Sequence, residues 1–207
     1  YKGIKMKKLL ATIFFSVLYV SSVSADMGLN VGVSGQAGLF AASATETSGS
    51  EKNNATEHGS AGWASVFAEM TLNDRFMLGV DYVPAALETD TTETANSSQY
   101  DGATTTQKIQ LDFEDLTTVY VGVMLGDAFY AKAGVSTVEV ITNENLGSGG
   151  TYGNTDLDGS MFGVGYVYTA DNGAFVRVEG NYLSFDGVSV TNAENSDVSV
   201  KLKNLDG

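Results

Sequence analysis

Three groups of side chains in this sequence have the types and spacings that chemistry needs. The only histidine, His58, lies beside Glu57 and two residues before Ser60, so a serine, a histidine and an acid are close in sequence. A serine hydrolase needs these groups held in one geometry, which neighbouring residues of a single loop rarely achieve. We therefore expect His58 to be an exposed loop histidine and the chain not to be an enzyme.

The second group is a set of acidic side chains in one polar stretch. Hard cations prefer carboxylate oxygens, so these acids are candidates for Ca²⁺ binding or for bridging divalent ions to lipopolysaccharide. The stretch lacks the D-x-D-x-D-G spacing of a calcium loop, and the chain has no cysteine for a thiolate site. We expect a solvated loop with no metal and no cofactor. The acids are Glu88, Asp90, Glu93 and Asp101.

The third group consists of charges that alternate with apolar residues. In the stretch "AFVRVEGNYLSF", residues 174–185, Val176 and Val178 point to one face while Arg177 and Glu179 point to the other. A period of two predicts a strand, but it leaves open which face is the interior. In a soluble protein the valines would be buried. In a membrane barrel they would face lipid, and the two charges would be enclosed.

Eight such alternating segments follow one another along the chain, and their connections have two lengths. Tight turns follow the second, fourth and sixth segments, at Asn73-Asp74, Gly126-Asp127 and Asp171-Asn172-Gly173. Longer polar stretches follow the first, third, fifth and seventh segments, at residues 43–60, 84–106, 142–158 and 186–195. Short turns at one end and long loops at the other are typical of a bacterial outer-membrane barrel. A soluble sandwich would be expected to mix its loop lengths.

The N-terminal residues predict export. Two lysines precede an apolar run, Leu9–Val20, and Val23–Ala25 offers a small-residue cleavage site. We interpret residues 1–25 as upstream residues plus a signal peptide, and residues 26–207 as one barrel domain. The apolar run is too short to span a bilayer as a helix.

Charge and composition narrow the possible partners. Residues 26–207 carry 7 basic and 25 acidic side chains, a formal net charge of −18. Nucleic acid and anionic membrane surfaces are poor partners for that overall balance. Twenty-four glycines and one proline favour an all-β chain. No later apolar run approaches helix-spanning length, so a mature protein that enters a membrane must do so as a closed barrel.

We therefore predict an all-β fold, an eight-stranded antiparallel up-and-down transmembrane β-barrel. The alternative is a soluble, lipocalin-like binder, in which Val176, Val178 and Tyr182 would be buried. A faint repeat aligns Lys108–Leu116 with Ser199–Gly207, and the second copy lacks the continuation of the first. We expect the last strand to be truncated, by about ten residues on typical crossing lengths.

The sequence resembles the small OmpA-like and opacity-type outer-membrane barrels of Gram-negative bacteria. The resemblance rests on the signal peptide, the eight segments and strand phrases such as "LGVDYV" and "FGVGYVY". It implies an outer-membrane location, assembly by the barrel-assembly machinery, and contact with outer-membrane lipid and lipopolysaccharide. It also implies roles that range from envelope integrity and adhesion to narrow-channel permeation.

In such a barrel, the face opposite the apolar one encloses charges. We predict a network in the lumen made of Glu69, Asp81, Lys132, Arg177 and Glu179. Eight strands enclose a space just wide enough for side chains, so the network would be either a rigid plug of salt bridges or a gated polar conduit. Lipid-facing aromatic girdles are predicted near the turns at Phe76 and Phe129, and farther along the apolar face at Tyr82, Tyr168 and Tyr182.

The leading functional hypothesis is a structural and surface-interaction role. A monomeric barrel would support envelope integrity and display acidic extracellular loops to a host or surface ligand. A narrow porin-like channel for small solutes is the alternative. A lipid-modifying outer-membrane enzyme would need His58 beside a serine and a carboxylate at the outer edge of the membrane.

Overall fold

The structure, a computed structural model, describes residues 27–97, 104–145 and 151–207. The predicted signal peptide lies outside these ranges. No helix within them is long and apolar enough to cross a membrane. The strands are β1 (Met27–Ser48), β2 (Glu51–Leu72), β3 (Phe76–Tyr82), β4 (Leu87–Glu88), β5 (Thr92–Ser97), β6 (Thr104–Met124), β7 (Phe129–Asn145), β8 (Thr155–Thr169), β9 (Phe175–Asp186), β10 (Ser189–Thr191) and β11 (Val198–Asp206).

The strands form an antiparallel ring with eight positions. Neighbours pair in the order β1, β2, β3, β6, β7, β8, β9 and β11, and β11 pairs with β1 to close the ring. β4 and β5 follow β3 along the same edge of β6, so these three strands share one position. β10 follows β9 along β11 in the same way. The predicted antiparallel up-and-down barrel of eight strands is therefore confirmed.

One end of the barrel, the turn end, has the tight connections that the sequence predicts. Asn73 and Asp74 join β2 to β3 with φ of 52° and 51°. Asparagine and aspartate tolerate this left-handed conformation better than other non-glycine residues, and its twist matches that of an antiparallel hairpin. Gly126 and Gly173, with φ of 124° and 83°, provide the corresponding positions in the other two turns.

The opposite end, the loop end, carries sheet where the sequence predicts loops. β1 and β2 continue through most of the predicted loop of residues 43–60 and meet at a turn in which Gly49 takes φ of 59°. Polar side chains pair across this extension, and Thr45 Oγ1 donates to Asn54 Oδ1 at 2.7 Å. Because both faces are polar there, no hydrophobic alternation marks the strands in the sequence. In the other three predicted long loops, β4, β5 and the start of β6 lie within residues 84–106, β7 and β8 reach into residues 142–158, and β10 lies within residues 186–195.

A bulge in β6 reverses which of its side chains face inward. Asp115 takes φ of 55°, and the ladder to β7 shifts register there. Above the bulge, Leu111 and Phe113 pack against the interior apolar cluster, whereas Val121 below it points outward and is 60% exposed. Strict alternation predicts from the sequence that these three odd-numbered residues share one apolar face, and the structure shows that they do not, because the extra residue changes the phase of the alternation. The alternation in the sequence also blurs at Val138–Val140 and predicts a bulge there, but β7 pairs regularly with β8 over those residues.

The ladder between β1 and β11 covers only part of β1. It joins Ala41–Ser48 to residues 198–206, and Gly207 exchanges two backbone hydrogen bonds with Leu183 of β9. Among the described residues, the facing edges of residues 27–40 in β1 and 175–182 in β9 carry no ladder on that side. These edges lie toward the turn end of the barrel.

The barrel interior has two layers. Toward the turn end it is lined by charged and polar side chains. Toward the loop end an apolar cluster fills it, which we call the apolar cap. The buried members of the apolar cap are Val83, Leu116, Val138, Val140, Leu157, Phe185 and Leu205.

Candidate functional site: the barrel interior and its outer rim

The most deeply buried charge in the described interior is Glu69, whose side chain is 1% exposed. Arg177, which reaches it from β9, donates from Nη1 to Oε2 at 2.8 Å and from Nη2 to Oε1 at 2.6 Å. The Tyr120 hydroxyl donates to Oε2 at 3.0 Å, and the Asn30 amide donates to Oε1 at 3.3 Å. Each carboxylate oxygen therefore has two donors, which offsets much of the cost of burying the charge.

Aromatic rings enclose the guanidinium of Arg177. Its central carbon lies 4.9 Å from the ring centre of Phe175, 5.4 Å from that of Tyr130 and 5.6 Å from that of Phe67. A cation over ring faces is attracted by their negative charge density, more so where water is excluded. The two-oxygen contact and the three rings together hold Arg177 in one position.

A second ion pair is linked to the first through tyrosines. Lys132 on β7 donates to Glu179 Oε2 at 2.5 Å, and the Tyr130 hydroxyl donates to the other oxygen of the same carboxylate. The ring of Tyr120 lies 4.7 Å from Lys132 Nζ, while its hydroxyl binds Glu69. Since Tyr130 also packs on the Arg177 side, each tyrosine contacts both pairs. The interior charges therefore form one connected cluster.

Asp81, the remaining predicted member of the network, is held by neutral donors. The Ser65 hydroxyl donates to Asp81 Oδ2 at 2.8 Å, and Gln36 Nε2 donates to Ser65 Oγ at 3.0 Å. Among the described residues, no cation lies within ion-pair distance of Asp81. The interior thus brings together all five predicted charges, but as two ion pairs and one aspartate bound to a hydroxyl.

A cavity of about 30 Å³ separates the polar layer from the apolar cap. Asp81, Lys132 and Asn181 line it on one side, and Leu116 and Leu183 line it on the other. A space of this size accommodates a water molecule or two but no larger solute. Above the cavity the apolar cap fills the barrel, so the described interior resembles a packed core more than a pore.

The exterior of the same strands is apolar. Along β9, Val176 and Val178 point outward and are 67% and 71% exposed, while Arg177 and Glu179 between them point inward. Outward apolar side chains on the neighbouring strands extend this surface into what we call the apolar belt. Its most exposed aliphatic members elsewhere are Leu29, Val31, Val33, Leu39, Val121 and Val164.

Aromatic side chains lie at both borders of the apolar belt. At the turn end are Phe76, Phe129, Tyr166 and Tyr168, and the rings of Phe129 and Tyr166 lie 5.2 Å apart. The apolar pattern of the sequence predicts that Tyr168 belongs to the farther girdle. The structure places it at the turn end, because β8 runs toward that end and Tyr168 pairs with Val176 at the start of β9.

At the loop-end border, two tyrosines carry hydrogen-bonded hydroxyls. Tyr82 donates to Asp115 Oδ1 at 2.8 Å, and Tyr182 donates to Asp206 Oδ1 at 3.1 Å. A ring with an apolar body and a solvated polar tip suits a boundary between an apolar and an aqueous phase. These contacts mark the upper limit of the apolar belt on β3 and β9.

Above this border, one side of the outer face is strongly acidic. Glu114 on β6 lies directly opposite Glu139 on β7, and Glu139 lies directly opposite Asp156 on β8. Like charges in directly opposed positions weaken a sheet, so stability alone does not account for this acidic row.

His58 lies on the outer face of the β1–β2 extension, opposite Ala41 in the ladder, and its side chain is exposed. It belongs to a strand and not to a loop, because the predicted loop is a hairpin. In the described part of the chain, no hydrogen bond joins His58 to Glu57 or Ser60. The structure therefore assembles no serine–histidine–acid geometry around it.

The described acids of the polar stretch at residues 84–106 are spread over β4, β5 and the residues between them and are not gathered. Glu88 and Asp90 are exposed, and Glu93 pairs with Lys108 at 2.5 Å. Asp101 lies outside the described residues. Within the described ranges, no group of three or more histidine, cysteine, aspartate or glutamate side chains is arranged to hold a metal ion.

Tyr120 and Tyr130 are the functional residues that the sequence reasoning missed. Both side chains point into the barrel and are buried. Each ring packs over a glycine of the neighbouring strand: Tyr120 over Gly79, and Tyr130 over Gly165. The signal was an inward tyrosine opposed by glycine on the neighbouring strand. This pairing can be recognised only when the register between the neighbouring strands is known.

No protein-family model matches this sequence, and no curated protein matches it. Among solved structures, the chain is similar to Ail, the attachment invasion locus protein of Yersinia pestis, whose structure was determined in complex with the heparin analogue sucrose octasulfate. The alignment covers 89% of this chain and 97% of that chain, with 9% sequence identity and a TM-score of 0.35. At that TM-score the likeness is too weak to support a conclusion about fold or ligand.

Proposed function

We propose that this chain is an outer-membrane β-barrel with a structural and surface-interaction role. The observation that carries the proposal is its reversed polarity, with ion pairs inside and apolar side chains outside. Soluble monomers rarely expose contiguous apolar patches of more than a few hundred Å², whereas a membrane barrel needs an apolar band with aromatic borders. The lipocalin-like alternative required Val176, Val178 and Tyr182 to be buried, and they are 67%, 71% and 53% exposed.

In this account the chain is exported by its signal peptide and inserted by the barrel-assembly machinery as a monomer. The barrel contributes to envelope integrity, and the strands that extend beyond the apolar belt at the loop end face the outside of the cell. A ligand on a host or another surface would meet these extended strands, whose long hairpins are stiffer than open loops. No chemistry is assigned to His58, and the proposed role needs no catalytic site.

The alternative of a narrow channel has less support. A conduit would need water to pass the linked ion pairs and then the apolar cap. The cavity between them has a volume of only about 30 Å³. The proposal therefore favours a rigid plug over a gate.

The membrane proposal is tested by adding one charge to the apolar belt. A lysine near the bilayer midplane of a barrel costs about 2–4 kcal/mol, so Val178→Lys should lower the free energy of unfolding by about that amount in phosphatidylcholine vesicles. The matched control is Thr56→Lys, because Thr56 is exposed and lies opposite Ser43 on the outer face, beyond the apolar belt. Folded fractions are read from heat-dependent gel mobility.

Equal stability of the two variants would contradict the proposal, since a lysine on the water-facing surface of a soluble barrel costs little. Cell fractionation provides the second reading. The full chain should extract with the outer membrane, and recovery in the periplasmic fraction without a heat-dependent mobility shift would also contradict it.

A further inference from the structure

The outer face of the β2–β1–β11 sheet carries a cluster of lysines above the apolar belt. We propose that this basic patch, defined as Lys52, Lys201 and Lys203, binds the acidic row of a second copy of the chain, so that inserted barrels associate side by side in rows. The inference rests on the proposed membrane function, because the membrane holds all copies at one height and in one orientation. It goes beyond that function by naming a partner and two contact surfaces.

The strand register places the three lysines on one face. Lys201 lies opposite Thr45 of β1. Lys203 occupies the extra position where the β1–β11 ladder shifts, and its Nζ donates across β1 to Asn54 Oδ1 at 3.0 Å. Lys52 lies two residues before Asn54 on the same face of β2. All three lysines are exposed.

Neighbouring side chains show that this face is the outer one. Leu202, between Lys201 and Lys203, packs against the apolar cap, so alternation directs Lys201 outward. On β1, Thr45 shares its face with Leu39 of the apolar belt, which is 78% exposed. The basic patch therefore lies on the same surface as the apolar belt, on its loop-end side.

The acidic row lies on the same outer surface at another side of the ring. Glu114 and Asp156 are exposed, and Glu139 between them is half-buried. Val138 and Val140, on either side of Glu139, belong to the apolar cap, so Glu139 points outward. Directly opposed acids weaken the sheet, and a cationic neighbour relieves their repulsion.

The order of the strands places the two surfaces back to back. The basic patch is centred on β1 and the acidic row on β7, and these strands are four positions apart in either direction around the ring of eight. Two surfaces that point in opposite directions cannot pair within one barrel. When the basic patch of one copy meets the acidic row of the next, each copy keeps one surface for a further neighbour. Such a contact is heterologous and extends into rows.

The two surfaces lie at nearly the same height above the apolar belt. Glu114 is one residue from Asp115, which binds a tyrosine of the loop-end border. Lys203 is three residues from Asp206, which binds the other tyrosine of that border. The difference of two residues corresponds to about 5 Å of height, for a rise of about 3.3 Å per residue and a tilt of about 40°. Lysine side chains extend along a surface far enough to cover it.

The distribution of charge favours a copy of the same chain as the partner. Residues 26–207 have 7 basic and 25 acidic side chains, and three of the 7 form the basic patch. Exposed charges more than about 8 Å apart are largely screened at physiological salt, so the contact depends on the facing charges and not on the net charge. Every inserted copy presents its acidic row near the height of the basic patch. Confinement to the membrane plane also raises the effective concentration of copies.

One carboxylate, Asp206, borders the basic patch on the side of the apolar belt. Tyr182 donates to its Oδ1 and Asn204 donates to its Oδ2. These donors occupy both oxygens and hold the carboxylate beside the sheet. The lysines lie farther from the apolar belt than Asp206, so they remain the groups that meet a neighbouring acidic row.

The test measures association of the full chain folded in phosphatidylcholine vesicles. A cysteine introduced at a turn-end connection, Asp127→Cys, carries a donor fluorophore on some copies and an acceptor on others. Energy transfer at increasing protein-to-lipid ratios then gives an association constant. An exposed ion pair contributes up to about fivefold to such a constant, so K52E/K201E/K203E should weaken association by about 10- to 100-fold. E114K/D156K, which changes the two exposed acids of the row, should weaken it as well.

A mixture of the two variants is the most specific measurement. The unchanged acidic row of the first variant meets the unchanged basic patch of the second, and the two reversed surfaces meet each other. Association between unlike variants should therefore return close to that of wild type. The matched control is E93K/K108E, which exchanges the partners of an exposed ion pair on β5 and β6 and should leave association unchanged. A rise to 1 M salt needs no variant and should disperse wild type, because the screening length falls to about 3 Å.

Equal association of wild type and both variants would assign the contact to the apolar belts and overturn the inference. A mixture that stays as dispersed as either variant alone would overturn it too. Dispersed wild type that binds oligolysine through the acidic row would assign that row to a cationic partner and would also overturn it. Heat-dependent gel mobility separates the two proposals. Wild type that inserts but stays dispersed contradicts only this inference, whereas wild type that fails to insert contradicts both.

Discussion

The contact between Arg177 and Glu69 shows how a single charge is kept inside this barrel. Burying either ion alone would cost several kcal/mol, and the two-oxygen contact repays that cost only because other donors satisfy the remaining lone pairs. Tyr120 and Asn30 provide those donors. The pair is therefore part of a connected unit and not an isolated bridge.

Removing Glu69 tests whether the buried charge of Arg177 depends on its partner. Glu69→Ala leaves Arg177 buried without its counter-charge, so the free energy of unfolding should fall by about 3–5 kcal/mol. The measurement is urea unfolding of the barrel in phosphatidylcholine vesicles, followed by the fluorescence of Trp63, the only tryptophan.

The control replaces both partners by apolar residues of similar size. The double variant E69L/R177M leaves no unpaired charge and should recover most of the lost stability. A loss in Glu69→Ala below about 1 kcal/mol, the typical upper value for an exposed pair, would show that the pair is not buried in the folded protein.

The sequence predicts these charges because their positions follow strand alternation. Glu69, Lys132 and Arg177 each lie one residue from an outward apolar side chain, so their inward direction follows from the period of two. Their pairing does not follow from it, because partners come from strands that are distant in sequence. The neutral donor to Asp81 could not be predicted for the same reason.

At the scale of the element, the interior glycines make room for the tyrosines of neighbouring strands. A Cβ at Gly79 on β3 would meet the ring and hydroxyl of Tyr120, which binds Glu69. Gly180 on β9 points outward, and nothing lies within 4 Å of a Cβ placed there. The packing of Tyr120 therefore requires glycine at position 79, whereas no neighbouring side chain requires glycine at position 180.

We expect Gly79→Ala to lower the free energy of unfolding by about 1–3 kcal/mol, because overpacking displaces Tyr120. Gly180→Ala should leave stability unchanged or raise it, since alanine has less unfolded-state freedom than glycine. The same urea titration measures both. Equal losses in the two variants would argue against the inward position of Tyr120.

The bulge in β6 is a second feature of the element scale. Asp115 has φ of 55°, a conformation in which β-branched residues are strained and glycine is not. Asp115→Val should therefore be less stable than Asp115→Gly by about 1–2 kcal/mol. Both variants lose the hydrogen bond from Tyr82, so the difference reports the backbone alone. A difference near zero would contradict the left-handed conformation.

Sequence reasoning failed at the bulge and at the hairpin extension for physical reasons. A bulge adds one residue and reverses the inward–outward alternation after it. The residue types around Asp115 do not by themselves identify a bulge. In the β1–β2 extension both faces meet water, so the hydrophobic signal disappears although the ladder continues. The tight turns at Asn73-Asp74 and Gly173 were predictable because left-handed conformations need particular residues.

At the scale of the whole molecule, the interior is filled from the ion pairs to the apolar cap. We expect wild-type protein in planar bilayers to show no stable unitary conductance at neutral pH. A steady conductance step that grows with salt concentration would contradict the plug and favour the channel alternative.

The number of segments and the asymmetry of their connections made the ring of eight predictable before any contact was known.

The central claim is that the apolar belt faces lipid while the charges lie inside. The chain has no cysteine, so single cysteines can be placed along β9 and labelled with a fluorophore. With a nitroxide quencher on the acyl chains, labels at residues 176, 178 and 180 should be quenched, and labels at 175, 181 and 183 should not. Uniform quenching, or quenching only at the odd-numbered positions, would contradict the account.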